Sequence, residues 1–152
     1  MRLPLPLAVS LGEKPEKLHE RREQGKSICG TLLSKVITYA MAVLEVNASM
    51  GVIVAAPTAG SSGVVPGVLL ALEKRSIFTD EELLNGLYTA GAVGYLLMRN
   101  ASVSGAEAGC QAEVGAASAM AAAAVTEIMG GSPMMCLHSA SMALSKSFGA
   151  GL

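Results

Sequence analysis

Thr58, Ser61, Ser62 and Gly63 lie in the stretch Ala55-Ala56-Pro57-Thr58-Ala59-Gly60-Ser61-Ser62-Gly63-Val64-Val65-Pro66-Gly67. Small hydroxyls and glycines are packed there between two apolar segments, Val52–Val54 and Val68–Leu72. A turn with so little side chain leaves its backbone N–H groups open. With a helix starting near Val64, those groups sit at the positive end of a helix dipole, which favours a carboxylate or phosphate. The hydroxyls of Thr58, Ser61 and Ser62 are placed to complete such a cradle. The competing reading is a tight interhelical turn whose glycines only permit close packing. Neither nucleotide motif is present. No lysine follows the glycines as a Walker A loop requires, and the spacing is not Gly-x-Gly-x-x-Gly. Any anion held here is recognised by backbone and hydroxyl groups, which suits a small carboxylate better than a triphosphate.

A second polar loop, Asn100–Gly105, is built alike and also precedes a helix. Two converging helix N-termini make a stronger anion pocket than one. Cys29, Cys110 and Cys136 show no Cys-x-x-Cys spacing and are odd in number, which argues against a disulfide framework. Taken alone, each reads as a small buried hydrophobe. His138 reads as a helix-surface or satisfied core residue, and His19 as solvated.

The elements that must position these residues are helical. The chain has 152 residues, the length of one domain, and 51% of it is hydrophobic with only 3% aromatic and no Trp. Its core must come from Ala, Val, Leu and Met with many glycines. The net charge of −1 leaves no basic face for nucleic acid. Charge gathers in Glu13–Lys26. Uncharged runs such as Gly51–Leu72 are broken by Pro57, the Ser/Gly cluster and Pro66, so they read as buried helices and not membrane spans. The proline-interrupted start Met1–Leu7 is a poor signal peptide, and the expected location is the cytoplasm.

Along the chain, residues 1–12 read as irregular and Glu16–Gln24 as a charged, solvated helix ending at Gly25. Ser27–Met50 reads as a long buried helix, with Leu32, Leu33, Val36, Ile37, Ala40, Val43 and Leu44 at helical spacing. A helix over Val65–Arg75 follows the first loop. Thr79 with Glu82 is a capping box opening a helix to Arg99. Gly86, Gly91 and Gly94 in it point to close helix contact. Ala106–Met129 reads as one Ala-rich helix, in which Ala112, Gly115, Ala116 and Ala119 allow close approach. Ser132-Pro133 opens a last helix to Phe148. The expectation is an all-α bundle of packed helices, a single domain over 1–152, with Ser/Gly-rich loops at helix N-termini.

Four segments carry a resemblance. Glu45–Gly51, Ala55–Gly63, Arg99–Glu107 and Gly109-Cys110-Gln111-Ala112-Glu113-Val114-Gly115 are similar, in the same order, to the α domain of bacterial iron–sulfur-dependent L-serine dehydratase. The likeness runs from about Gly25 to Leu144, leaving 1–24 as a divergent segment. It implies a lyase of amino-acid degradation and gluconeogenesis that turns L-serine into pyruvate and ammonia. It also implies an oxygen-sensitive [4Fe–4S] cluster on three cysteines, whose open iron acts as a Lewis acid on the substrate hydroxyl.

The resemblance makes Cys110 a cluster ligand. The family's other two ligands lie in a Cys-Asp-Pro-Val-x-Gly…Pro-Cys segment that residues 147–152 do not contain. The expectation is therefore that this chain alone holds no complete cluster. The resemblance further implies a β domain or β subunit as partner, and exposed apolar surface implies self-association. Because both loops precede helices and the substrate so implied is a small amino acid bearing an anion, the expected substrate-binding set is Thr58, Ser61, Ser62 and Gly63 from the first loop, with Asn100, Ser102 and Gln111 from the second loop and its helix. Three readings stay open: the substrate-binding core of the enzyme, an incompetent scaffold or fragment, and a related cysteine desulfidase.

Overall fold

A computed structural model describes residues 14–75 and 77–149. Among the described residues six helices follow one another. They are α1 (Lys14–Glu23), α2 (Gly30–Ala48), α3 (Val64–Glu73), α4 (Asp80–Asn100), α5 (Gly105–Ile128) and α6 (Pro133–Gly149). All regular structure among the described residues is helical, as the absence of period-two patterning predicts. The irregular start expected over 1–12 lies outside the described residues.

Local chemistry sets the helix starts. The Thr79 side chain accepts from the Glu82 amide at 3.2 Å, and the Thr79 amide donates to Glu82 Oε2 at 2.7 Å. This completes the expected capping box. These bonds from Thr79 hold the Glu82 carboxyl below its ordinary range. Ser104 caps α5 through Ala106 N at 3.3 Å.

The Ala-rich helix is not continuous, contrary to the sequence reading. Gly109 stands inside it at φ 83°, ψ 163°, so a short first turn and a long second part meet at a kink. Only glycine adopts that backbone freely. Cys110 is therefore the first residue of the long part.

The long part of α5 is the centre of the domain, packed against α4, α6 and α3. Ala112, Gly115, Ala116 and Ala119 are all buried, as their small size predicts. Between α4 and α5, close approach occurs where a glycine faces a larger side chain. A β-carbon on Gly86 would lie 2.7 Å from Ile128 Cδ1, and one on Gly94 2.8 Å from Met120 Cε. Gly91 breaks the expectation, since it faces open space. Backbones drawn this near gain dispersion contacts that large side chains would otherwise supply.

The long α2 is not buried as expected. Its buried residues are Ser34 and Thr38, with Thr38 Oγ1 bonded back to Ser34 O at 2.8 Å. Leu33 and Leu44 are exposed, and the other apolar residues of the stripe are half-buried. The periodicity correctly gives a helix. However, among the described helices α2 packs on α1 and α3 alone, so the apolar stripe is covered in part. Among the described residues no helix is long and apolar enough to cross a membrane.

Candidate functional site

Proline and glycine shape the first loop. The Ala56–Pro57 peptide is cis. The Ala56 amide donates to Thr58 O at 3.2 Å, and the Ser62 amide donates to Ala59 O at 3.3 Å. Asn47 Nδ2, from the end of α2, also donates to Ala59 O at 3.2 Å. Gly63 presses against α2, so the loop is anchored on both sides. Among the described residues the amides of Ala59, Gly60 and Ser61 find no backbone acceptor. The sequence points instead to the amides around Ser61–Gly63, of which that of Ser62 is spent on Ala59 O.

The hydroxyls are differently placed. Ser62 is fully buried, and its hydroxyl donates to Ala59 O at 2.7 Å. Ser61 is buried too, with its hydroxyl 2.9 Å from Thr58 Oγ1. Thr58 Oγ1 donates to Glu113 Oε1 across 55 positions of sequence. The hydroxyls thus hold the loop together and tie it to α5.

Glu113 is the residue that sequence reasoning missed. It is half-buried and sits between the two polar loops. A β-carbon on Gly60 would lie 2.6 Å from Glu113 Oε1, and one on Gly105 would lie 2.8 Å from Oε2. The two Ser/Gly loops therefore do meet, and a carboxylate stands at their junction. Two signals in the sequence point to it: Glu113 stands in the segment Gly109–Gly115 that carries the resemblance, and helical spacing puts it one turn beyond Cys110 on the same side of α5.

The second loop follows the same rule. Ser102 Oγ donates to Glu107 Oε2 at 2.6 Å, again spending a hydroxyl on a carboxylate. Asn100 Nδ2 turns back to Leu96 O at 2.7 Å. Gln111 is exposed beside Cys110. Thr58 thus meets Glu113 with Ser61 beside it, Ser62 and Gly63 hold the loop to its own backbone and to α2, and Asn100, Ser102 and Gln111 are exposed and share no hydrogen bond with the first loop among the described residues.

The three cysteines have unlike surroundings. Cys29 and Cys110 are exposed. Cys136 is buried, its Sγ 3.6 Å from Glu127 Oε2. Burial pushes the Cys136 thiol up, and the Glu127 carboxylate adds to the effect. Among the described residues no group of three His, Cys, Asp or Glu side chains is placed to hold a metal ion. Cys110 is a single accessible thiol at the helix kink. His138 is exposed, and His19 Nδ1 lies 2.5 Å from Arg22 Nη2 on the exposed α1.

An apolar groove of about 700 Å³ runs between α2, residues 52–56 and α3, lined by Tyr39, Val43, Val46, Ile53 and Leu69 and reaching the loop at Ser62. It carries no acid–base or metal-binding set.

Comparisons with known proteins bear on the polar site. The family model described as "Serine dehydratase alpha chain" matches residues 7–150. The probable L-serine dehydratase alpha chain of Bacillus subtilis (strain 168) is 47% identical over 133 residues, 88% of this chain and 44% of that one. The L-serine dehydratase alpha chain of Peptoniphilus asaccharolyticus is 46% identical over 129 residues, 85% of this chain and 44% of the relative. The L-serine dehydratase TdcG of Escherichia coli (strain K12) is 45% identical over 112 residues, 73% of this chain and 25% of it. No solved structure matches. The chain thus spans less than half the length of these relatives. With the four segments, the all-helical fold and a family match over nearly its whole length, the chain belongs to the serine dehydratase alpha chain family.

Proposed function

We propose that this chain is the substrate-binding core of an L-serine dehydratase. The complete enzyme eliminates water from L-serine to give aminoacrylate, which hydrolyses to pyruvate and ammonia. The observation that carries the reading is the meeting of the two Ser/Gly loops at Glu113, one helical turn from the accessible Cys110. The open amides of Ala59, Gly60 and Ser61 are the donors we assign to an amino acid's carboxylate. Thr58, Ser61, Ser62 and Gly63 keep those amides in position. Asn100, Ser102 and Gln111 border the same site from the second loop and α5.

Cys110 is the thiolate this chain contributes to a [4Fe–4S] cluster. Three thiolates are needed to leave one iron open, so the remaining two come from outside the described residues. When bound, such a cluster supplies Lewis-acid polarisation of the substrate hydroxyl. The partners that follow from this reading are L-serine, the serine dehydratase β domain or subunit, and a second copy of the assembly. The location is the cytoplasm.

The test is an anaerobic assay of the complete, iron-loaded enzyme for pyruvate from L-serine, with L-cysteine as the comparison. Pyruvate from serine, lost with iron content in Cys110→Ala, is the expected result. Sulfide release from cysteine in place of dehydration would favour the desulfidase reading. Normal iron in Cys110→Ala would remove Cys110 from the cluster.

A further inference from the structure

The protons of the loop can be counted. Thr58 has one hydroxyl proton, and it goes to Glu113 Oε1. Ser61 Oγ lies 2.9 Å from Thr58 Oγ1 and 3.4 Å from Ala56 O, and its one proton goes to one of these two acceptors. The Ser62 proton goes to Ala59 O at 2.7 Å. No hydroxyl of the loop is left to donate to an incoming anion. The chain of donors ends on a carboxylate, so the side-chain part of the site is negative. Backbone amides remain as donors, those of Ala59, Gly60 and Ser61 among them.

Glu113 is itself incompletely satisfied. Its Oε1 accepts from Thr58, while Oε2 has no hydrogen-bond partner among the described residues. Oε2 is also absent from the buried atoms cut off from solvent. No Lys or Arg among the described residues pairs with Glu113. A half-buried carboxylate without a counter-charge gains most from a cation that brings its own protons. An α-amino acid carries that group one carbon from its carboxylate.

We infer that Glu113 is the binding residue for the α-ammonium group of the substrate, with the open amides of Ala59–Ser61 taking its carboxylate. The inference rests on the reading of this site as one for an amino acid. It adds the group that separates an amino acid from a simple carboxylic acid. Thr58 is then a positioning residue, which fixes one Glu113 oxygen so that the other points to the ligand. Gly60 and Gly105 leave the carboxylate the space it needs.

L-Alanine and propionate provide the test. Both have the carboxylate, only L-alanine has the ammonium group, and neither has a hydroxyl to eliminate. Their binding to the complete enzyme is measured by calorimetry, together with thermal melting of each variant. The wild type is expected to bind L-alanine at least tenfold more tightly than propionate. In Glu113→Gln the affinity for L-alanine falls about ten- to a hundredfold, as for loss of a charge-assisted hydrogen bond, while that for propionate holds. Glu113→Asp, which keeps the charge, retains a preference for L-alanine.

Equal weakening of both ligands in Glu113→Gln would make Glu113 a purely structural tie and overturn the inference. So would an unchanged ratio, or a wild type with no preference. Should Glu113→Gln not fold, Gly60→Ala decides the matter. Its β-carbon displaces the carboxylate, and it must lower the preference for L-alanine. An enzyme that keeps the ratio but makes no pyruvate from L-serine would overturn the serine reading and leave Glu113 as the ammonium site.

Discussion

Gly63 meets Ala40 backbone to backbone. A β-carbon on Gly63 would lie 2.4 Å from the Ala40 carbonyl oxygen. No side chain can swing aside to relieve that contact, so the loop or α2 must shift. Gly63→Ala is therefore expected to destabilise by about 1–3 kcal/mol, the usual range for overpacking. Gly91→Ala is the control. Gly91 is helical, exposed and faces open space. Filling it removes the entropic cost of a mid-helix glycine and should stabilise by about 0.5–1 kcal/mol. Thermal melts of the two variants shift in opposite directions. Shifts of the same sign would contradict the packing described.

Gly109 makes a different demand. A β-carbon added there would meet nothing within 4 Å, so space is not the issue. Its φ of 83° with ψ 163° is a conformation almost confined to glycine. Gly109→Ala is expected to cost about 1–3 kcal/mol through backbone strain alone. The alternative is straightening of the kink, which would carry Gly105 away from Glu113. Hydrogen exchange separates the two outcomes. Strain with the kink kept leaves protection of the long part of α5 unchanged, and straightening extends protection through residue 109.

The Thr79–Glu82 box carries a pH signature. The amide and hydroxyl of Thr79 hold the Glu82 carboxyl below its ordinary value of 4.5. A carboxyl depressed on folding stabilises the fold above its unfolded pKa, and that contribution is lost as pH falls through the folded one. Glu82→Gln should thus lower the melting temperature at pH 7 and matter progressively less below pH 4.5. A difference that grows in acid would reverse the sign and refute the assignment.

How far these features were legible depended on whether they were local. The capping box at Thr79 needs residues three apart, and it was readable. Ser104 and Pro133 mark helix starts in the same way. Burial of α2 was not readable, because a periodic stripe does not say how many neighbours will cover it. Leu33 and Leu44 are the residues left out. Gly91 and Gly109 show why glycines in a helical pattern mislead. One stays helical in open space, and the other breaks the helix, yet both stand among helix formers. Glu113 looked like one polar residue in an Ala-rich helix. Its role comes from Thr58, Gly60 and Gly105, which only the tertiary fold brings to it.

Apolar surface gives a prediction about assembly. Leu84, Leu87, Tyr88 and Tyr95 are exposed along α4, and Val52 and Val54 are exposed beside the apolar groove. An uncovered area of this kind favours association in water. Sedimentation of the 152-residue chain at micromolar concentration should show species larger than a monomer. A single monomeric boundary over that range would count against association through these faces.

Thiol chemistry tests both the fold and the proposed role of Cys110. The thiolate is the reacting form, and access to it is required. Cys136 fails on both counts. It is 3% exposed, and burial with the neighbouring Glu127 carboxylate disfavours its thiolate. Cys29 and Cys110 are exposed. Alkylation of the isolated chain should therefore modify two thiols rapidly and the third slowly. Mild urea should accelerate the third in step with unfolding. Three equal rates would mean that the α5–α6 packing around Cys136 is wrong. In the complete enzyme, iron loading should protect Cys110 while Cys29 stays reactive. Mass mapping of the labelled peptides reads this directly. Protection of Cys29 with Cys110 still labelled would transfer the cluster ligand to the other exposed thiol and remove the reason for placing the reaction beside Glu113.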